Sequence, residues 1–389
     1  MVDVFFKKKI KIIKDWVMLQ QPTIILYDRV ILWLTIGLIS IGLVMVASTS
    51  MLIGSRLFGD SFYFVKRNIL YIGFSFVISL FILKIPISVW YRYNFILLIV
   101  SFFMLLLVLL VGHSVNGSLR WLSFGSLCIQ PAELAKLSLF CYLSSYLARK
   151  IDGNFYQSWI FYKPIVIMLI MFFLVLLQPD LGTATIMFVT TLSVLFIAGI
   201  ALKYFFLFFF ITILIIISLI IIEPYRIQRI LAFWNPWSDP FGSGYQLTQS
   251  LIAFGRGELW GQGLGNSIQK MEYLPEVHTD FIFAILGEEL GYCGVFLILL
   301  MIFAIIFRAL SISNQAFRIG RYFSGFLSCS IGVWLNIQTV INIGVTIGIL
   351  PTKGLTLPFI SYGGSSFIVM FIVIMLLLRI DFELRISRI

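Results

Sequence analysis

The feature that most limits this chain is a recurrence, from residue 30 onward, of apolar runs about 20 residues long, the length of helix needed to cross a bilayer. Ten such runs can be drawn, at 30–51, 68–83, 94–112, 132–148, 164–178, 182–200, 204–222, 281–307, 322–349 and 359–378. In hydrocarbon every backbone amide must find its partner inside the protein, so runs of this kind become helices. The expected fold is therefore an all-α polytopic membrane protein of about ten transmembrane helices. With 60% hydrophobic and only 12% charged residues, the 389-residue chain has more apolar surface than one aqueous core could hide. A formal charge of +11 would suit nucleic acid only on a soluble basic face, and here the basic residues sit between apolar runs, so no nucleic-acid partner is expected. Cys128, Cys141, Cys293 and Cys329 lack the spacing of a zinc site or a disulfide framework.

The charge distribution sets an orientation. Placing the N-terminus in the cytoplasm puts 18 of the 28 Lys and Arg on the inner side, nine on the outer side, and one, Lys136, within the fourth run. Such an excess of inner basic residues predicts an N-in, C-in chain. Its expected parts are a basic cytoplasmic segment 1–29, helices one to seven over 30–222, a large extracytoplasmic loop 223–280, helices eight to ten over 281–378 and a cytoplasmic tail 379–389. The basic residues Lys7, Lys8, Lys9, Lys11 and Lys14 precede a full-length span without a small-residue cleavage site, so no cleavable signal is read there. The long loop carries six of the 17 acidic residues, His278 and seven glycines between Gly242 and Gly265. Its Trp234, Trp237, Phe241, Tyr245 and Trp260 give it the character of a structured segment on the outer membrane surface, in contact with membrane lipids.

Three constellations reach that outer side. The first is YLPEVHTDFIFAILGEELG, 273–291, in which Asp280 stands where the loop meets the eighth run. The position suits an N-cap, and equally a general base kept ionised by a helix N-terminus. At 100° per residue, Glu288 and not Glu289 would share a helical face with Asp280. The second is RWLSFGSLCIQPAELAKL, 120–137. Glu133 and Lys136, three apart, could form a closed ion pair, or Lys136 could join Arg120 in binding a pyrophosphate. The third is LPTKGLTLPFISYGGSS, 350–366, where prolines and glycines interrupt the helices and Lys353, Thr352, Thr356, Ser361 and Tyr362 offer donors for phosphate or sugar. The turn QPDLGT, 178–183, reads as a tight connection around Asp180. No Walker loop, HExxH helix or nucleophile elbow is present. Acidic and basic groups gathered at one outer surface suit a phosphate-bearing lipid whose head group reacts outside the membrane.

At these motifs, together with EPYRIQR (223–229), AFWNPWSDPFGSGYQLTQS (232–250) and AFGRGELWGQGLGNS (253–267), the chain resembles the SEDS family of shape, elongation, division and sporulation proteins. These are polytopic glycosyltransferases that polymerise lipid II into peptidoglycan strands. The wording is closer to the division member of Gram-negative bacteria than to the elongation member. The resemblance implies that Asp280 is the essential carboxylate. It implies lipid II and an undecaprenyl-linked glycan chain as substrates, a class B penicillin-binding protein (the septal transpeptidase) and other divisome proteins as partners, and the inner membrane at the septum as location. Cys128 departs from it, standing where relatives often carry arginine. Arg120, Lys136, Lys353, Ser361, Glu133 and Glu288 are the candidate substrate-binding residues. No cofactor is required by this reading, and a divalent cation such as Mg2+ or Mn2+ is left open. Two rival readings stay beside it: a lipid II flippase lined by Glu133, Lys136, Glu288 and Glu289, and a noncatalytic divisome scaffold.

Overall fold

A computed structural model of the chain describes residues 27–115, 118–124, 127–151, 162–222, 232–352 and 354–387. The long helices are α1 (Arg29–Phe58), α2 (Tyr63–Lys84), α3 (Ile87–Val111), α4 (Pro131–Ile151), α5 (Tyr162–Leu177), α6 (Leu181–Ile197) and α7 (Leu202–Ile222). A shorter helix, α8 (Tyr245–Gly257), lies in the long loop, and α9 (Ile282–Arg318), α10 (Tyr322–Thr346) and α11 (Gly364–Ile386) complete the chain. Among the described residues, α1, α2, α3, α9 and α10 are long and apolar enough to cross a membrane.

The side chains are sorted for hydrocarbon. On α1 the inward face holds small and polar residues, Thr35, Gly42, Thr49, Ser50 and Gly54 among them, while Trp33, Val44 and Leu52 point out. On α3, Asn94 and Ser101 are buried and Phe95, Ile96 and Phe103 are exposed. Large apolar side chains gain nothing by leaving lipid, so packing and interhelical hydrogen bonds decide which face turns inward. Asn94 donates to Ser145 Oγ at 2.9 Å, and the Ser101 and Ser138 hydroxyls meet at 2.6 Å, joining α3 to α4. Helix α4 is buried on nearly every side and forms the axis of the bundle. The chain is a helical, multi-pass membrane protein.

Three observations differ from the sequence reading. The chain is not all-α: the α3–α4 connection is a three-stranded antiparallel sheet, β1 (His113–Val115), β2 (Ser118–Phe124) and β3 (Leu127–Ile129). Strands of three and seven residues are too short to register as a strand pattern beside long apolar runs, and this sheet is what carries Arg120 and Cys128. Helix α11 starts at Gly364, not 359, because residues 354–363 form irregular backbone in which Phe359 has a left-handed φ of 66°. Helix α9 is broken at Gly291, where φ is 67°, so the eighth run is two helical pieces and not one.

Candidate active site around Asp280

The break in α9 is the key to how the long loop is held. It leaves the carbonyls of Glu288 and Glu289 and the amides of Tyr292 and Cys293 without helical partners. The long loop supplies them: Gln262 N donates to Glu288 O at 2.9 Å and Gly263 N to Glu289 O at 3.0 Å, while Tyr292 N donates to Glu258 O at 3.0 Å and Cys293 N to Leu259 O at 3.1 Å. The chains approach so closely that a Cβ on Gly261 would overlap the Glu289 carbonyl and lie 2.6 Å from Gly291 N. This is buried irregular backbone of the kind a membrane protein tolerates.

Side chains reinforce the seam. Glu288 accepts from Arg256 Nη1 at 2.7 Å, from Ile268 N at 3.1 Å, from Gln269 N at 3.3 Å and from Ser267 Oγ. Glu289 accepts from Lys270 Nζ at 2.8 Å and from Ser48 Oγ at 2.7 Å, tying the loop to α1 as well. Both carboxylates are fully buried. Glu288 therefore turns to the loop and does not share a face with Asp280, which precedes the helix instead of lying on it. The angular argument from sequence assumed one continuous helix through Asp280.

Asp280 is not an N-cap. Helix α9 begins at Ile282 with Phe281 as its cap residue and no side-chain cap bond. The Asp280 backbone carbonyl is held by Asn342 Nδ2 at 3.1 Å, and the same amide group donates to Leu355 O at 2.6 Å. One turn earlier on α10, Gln338 Nε2 donates to Thr356 O at 2.9 Å. Tyr362 N donates to His278 O at 2.9 Å. Thus α10 and the 354–363 segment clamp both sides of the loop end. Gly354 lies against the carboxylate, where an added Cβ would come within 2.8 Å of Asp280 Oδ2.

The half-buried Asp280 carboxyl is pushed up to about 7, first by desolvation and then by the nearby Glu276 and Asp180 charges, against the pull of Arg120. A carboxylate freed from capping and poised near neutrality has the properties of a general base. Arg120, on β2, holds the turn before α6, donating from Nε to Gln178 O at 3.3 Å and from Nη2 to Pro179 O. Asp180 caps α6, accepting from Thr183 N at 3.2 Å and Thr183 Oγ1 at 2.8 Å. The structure thus brings Asp280, Arg120 and Asp180 into one electrostatic neighbourhood.

The other candidates are placed elsewhere. Lys136 is fully buried and donates to Glu133 Oε1 at 2.9 Å and Gln338 Oε1 at 3.4 Å, with its ammonium 4.8 Å from the Trp334 ring centroid. The i,i+3 pair that the spacing allowed is formed, inside the bundle. Ser361 is buried and its hydroxyl accepts from Leu357 N at 2.8 Å, closing a turn. Lys353 lies outside the described residues. Among the described residues no three His, Cys, Asp or Glu come together as ligands for a metal ion. The donor set seen here therefore does not itself build a divalent-cation site.

Sequence reasoning missed Arg67. It sits in the second turn of α2, donates to Tyr63 Oη at 3.3 Å and places Nη2 3.9 Å from Cys128 Sγ. A guanidinium thus stands beside the position where a basic residue was noted as absent. The available signal was a charge in the first turns of an otherwise apolar helix. Next to it, His278 and Tyr362 pack on Phe64, with ring centroids 4.8 and 5.4 Å from it. Burial pulls the His278 imidazole below its usual value, and its Nδ1 is buried without a partner.

Known proteins resemble this chain over most of its length. Residues 29–386 match the family described as "Cell cycle protein", built on FtsW, RodA and SpoVE sequences. A protein of Moranella endobia called "Probable peptidoglycan glycosyltransferase FtsW" is 58% identical over 95% of this chain and 97% of its own length. Its namesake in Escherichia coli O6:H1 is 55% identical over 97% of this chain and 92% of its own. A chain from a structure described as "Structural coordination of polymerization and crosslinking by a peptidoglycan synthase complex" is 26% identical, covers 92% of this chain and 98% of that one, and superposes with a TM-score of 0.75. The crystal structure of Thermus thermophilus RodA, 24% identical over 92% of this chain and 98% of that one, shares the fold with a TM-score of 0.68. With its apolar bundle, its long loop stitched to α9 and a match over nearly its whole length, this chain belongs to the SEDS family, the cell cycle proteins of the FtsW, RodA and SpoVE type.

Proposed function

We propose that this protein is a peptidoglycan glycosyltransferase that polymerises lipid II into glycan strands during septal wall synthesis. The observation that carries the reading is the Asp280 carboxyl, free of capping duty, packed against Gly354 and within electrostatic reach of Arg120, with its titration pushed up to about 7. In the proposed step the 4-hydroxyl of an acceptor lipid II attacks the anomeric carbon of the growing chain's terminal sugar. That carbon's bond to the undecaprenyl pyrophosphate oxygen breaks, and Asp280 takes the hydroxyl proton. Arg120 offers its guanidinium to the charge that builds on the leaving diphosphate, where fixed electrostatics help most. No step is routed through a metal ion.

The remaining candidates serve this site at a distance. Glu288 fixes the loop that ends in Asp280, Ser361 shapes the segment facing it, and the Glu133–Lys136 pair braces α4 against Gln338, whose amide holds Thr356. Lys353 adjoins Gly354 in sequence and is proposed as a further diphosphate ligand. The ten runs are proposed as spans in an N-in, C-in chain, with 223–280 outside and 1–29 and 379–389 inside. A class B penicillin-binding protein and other divisome proteins are the proposed partners, at the inner membrane of the septum. The flippase reading loses its main support, because Glu133, Lys136, Glu288 and Glu289 are each engaged in an ion pair inside the protein.

The decisive experiment is lipid II polymerisation by the purified chain with its class B partner, wild type beside Asp280→Asn, read as glycan length on a gel. Polymer from wild type alone supports the reading. Equal polymer from both removes Asp280 from the chemistry, and none from either, with the partner folded and bound, turns the weight to transport or scaffolding.

A further inference from the structure

A recess of about 360 Å³ opens toward the lipid between α3 and α5. Its floor is Leu98 and Met171, both buried, and its walls include Phe95, Phe102, Phe103 and Ile170; no polar side chain lines it. A cavity of about 150 Å³ is enough for one benzene ring, so this one has room for a stretch of branched hydrocarbon several carbons longer. We propose that it holds part of the polyprenyl chain of the lipid-linked substrate, an inference that rests on the glycosyltransferase reading above.

What distinguishes it from an ordinary lipid-facing hollow is its connection to the reacting end. The seam between α3 and α5 is closed at its outer end by Gln178, whose Nε2 donates to Leu105 O at 3.1 Å. The carbonyl of that same Gln178 accepts from Arg120 Nε at 3.3 Å. The turn that positions the diphosphate ligand is thus also the roof of the seam. At 1.5 Å per residue, Met171 and Ile167 lie roughly 10 and 16 Å below Gln178 along α5. A chain anchored by its diphosphate at Arg120 passes down the lipid side of that roof for its first few units and then meets the recess. Three phenylalanine rings suit a methyl-branched, unsaturated chain better than a straight acyl chain. A groove already inside a bilayer gains no hydrophobic transfer energy, so its contribution comes from packing alone and is modest, about tenfold in apparent affinity.

The test fills the recess from its exposed wall. Ile170→Trp is compared with Leu70→Trp, an exposed apolar site on α2 that does not line the recess. Polymerisation is measured with full-length lipid II and with an analogue whose prenyl tail is too short to reach α5. The expected result is a KM raised about tenfold for full-length substrate by Ile170→Trp with kcat kept, no change for the short analogue, and no change with Leu70→Trp. In parallel, a polyprenyl diphosphate bearing a diazirine along its chain is photolysed with wild type and Asp280→Asn in nanodiscs. Label on α3 and α5 peptides, competed by undecaprenyl diphosphate and not by excess phosphatidylethanolamine, supports the site. Label competed equally by phospholipid, or a KM unmoved by Ile170→Trp in an active enzyme, overturns it and leaves the polymerase reading intact. Absence of polymer from wild type defeats the polymerase reading instead, while the labelling pattern still decides the recess.

Discussion

If Asp280 must be ionised to act and its carboxyl titrates at about 7, activity follows from its charge state. At pH 6 about one-tenth of the enzyme would carry the carboxylate, and at pH 5 about one-hundredth, whereas an unperturbed aspartate near 3.9 would stay over about 90% ionised at both. The acid limb of kcat/KM should therefore fall with unit slope from a midpoint near 7. Substrate diphosphate could itself titrate in this range, so two variants identify the group. Glu276 raises and Arg120 lowers the proton affinity of Asp280. Glu276→Gln should move the midpoint to lower pH, and Arg120→Met should move it to higher pH beyond any loss of rate. Initial rates of lipid II polymerisation between pH 5 and 9 measure this. A rate at pH 5.5 within twofold of that at pH 8, or a midpoint that neither variant moves, would refute the assignment of the base.

The same proton makes a stability claim. Because the folded pKa is raised, the folded chain holds a proton that the unfolded chain has lost between about pH 4 and 7, and that stabilisation disappears as pH rises through about 7. Asp280→Asn should therefore melt higher than wild type at pH 8 in detergent, with the gap narrowing at pH 5; equal melting at both would count against the raised pKa. The buried Lys270–Glu289 pair, 8% and 0% exposed, gives a second prediction. Glu289→Gln or Lys270→Met alone should cost about 3–5 kcal/mol in denaturant titrations, and the double apolar replacement much less, since each single change strands one buried charge. Additive single effects would show that the two groups are not coupled. Gly261→Ala, at φ 79° and against the Glu289 carbonyl, should cost roughly 2–3 kcal/mol and free the loop to proteases without altering the opposite ends of the helices.

Much of this architecture is legible in the sequence because hydrocarbon is a simple solvent. Long apolar runs can only be helices there, and the described helices other than α8, which lies in the long loop, fall on the runs. The loop end at Asp280 also stands out, as an acidic, glycine-rich and aromatic segment in a chain otherwise short of charge. The partners of Glu288 and Glu289 were hidden because Arg256 and Lys270 lie 32 and 19 residues before them, beyond any helical spacing rule. The break at Gly291 was hidden too, since a glycine in an apolar run usually stays helical at small cost. Asp280 was misjudged for a separate reason: the helix starts at Ile282 with Phe281 as its cap residue, a residue later than the apolar run suggests, so Asp280 makes no cap. The start of α11 was misread for a related reason: Phe359 adopts a left-handed φ that its residue type does not announce.

The seam at Gly291 also bears on how the chain is made. Residues 282–290 amount to a nine-residue helix with two adjacent carboxylates, far too short and too polar to be taken into the bilayer as a span of its own. The insertion machinery need recognise only the apolar stretch beyond the glycine, which still has 27 residues to Arg318. The piece before the glycine then has no partner for its open carbonyls until the strand of loop around Gln262 folds back on it. In the proposed N-in, C-in topology that docking would come late, on the outer side and separable in time from the threading of the helices, and a chain stalled between the two would be inserted yet lack its proposed site.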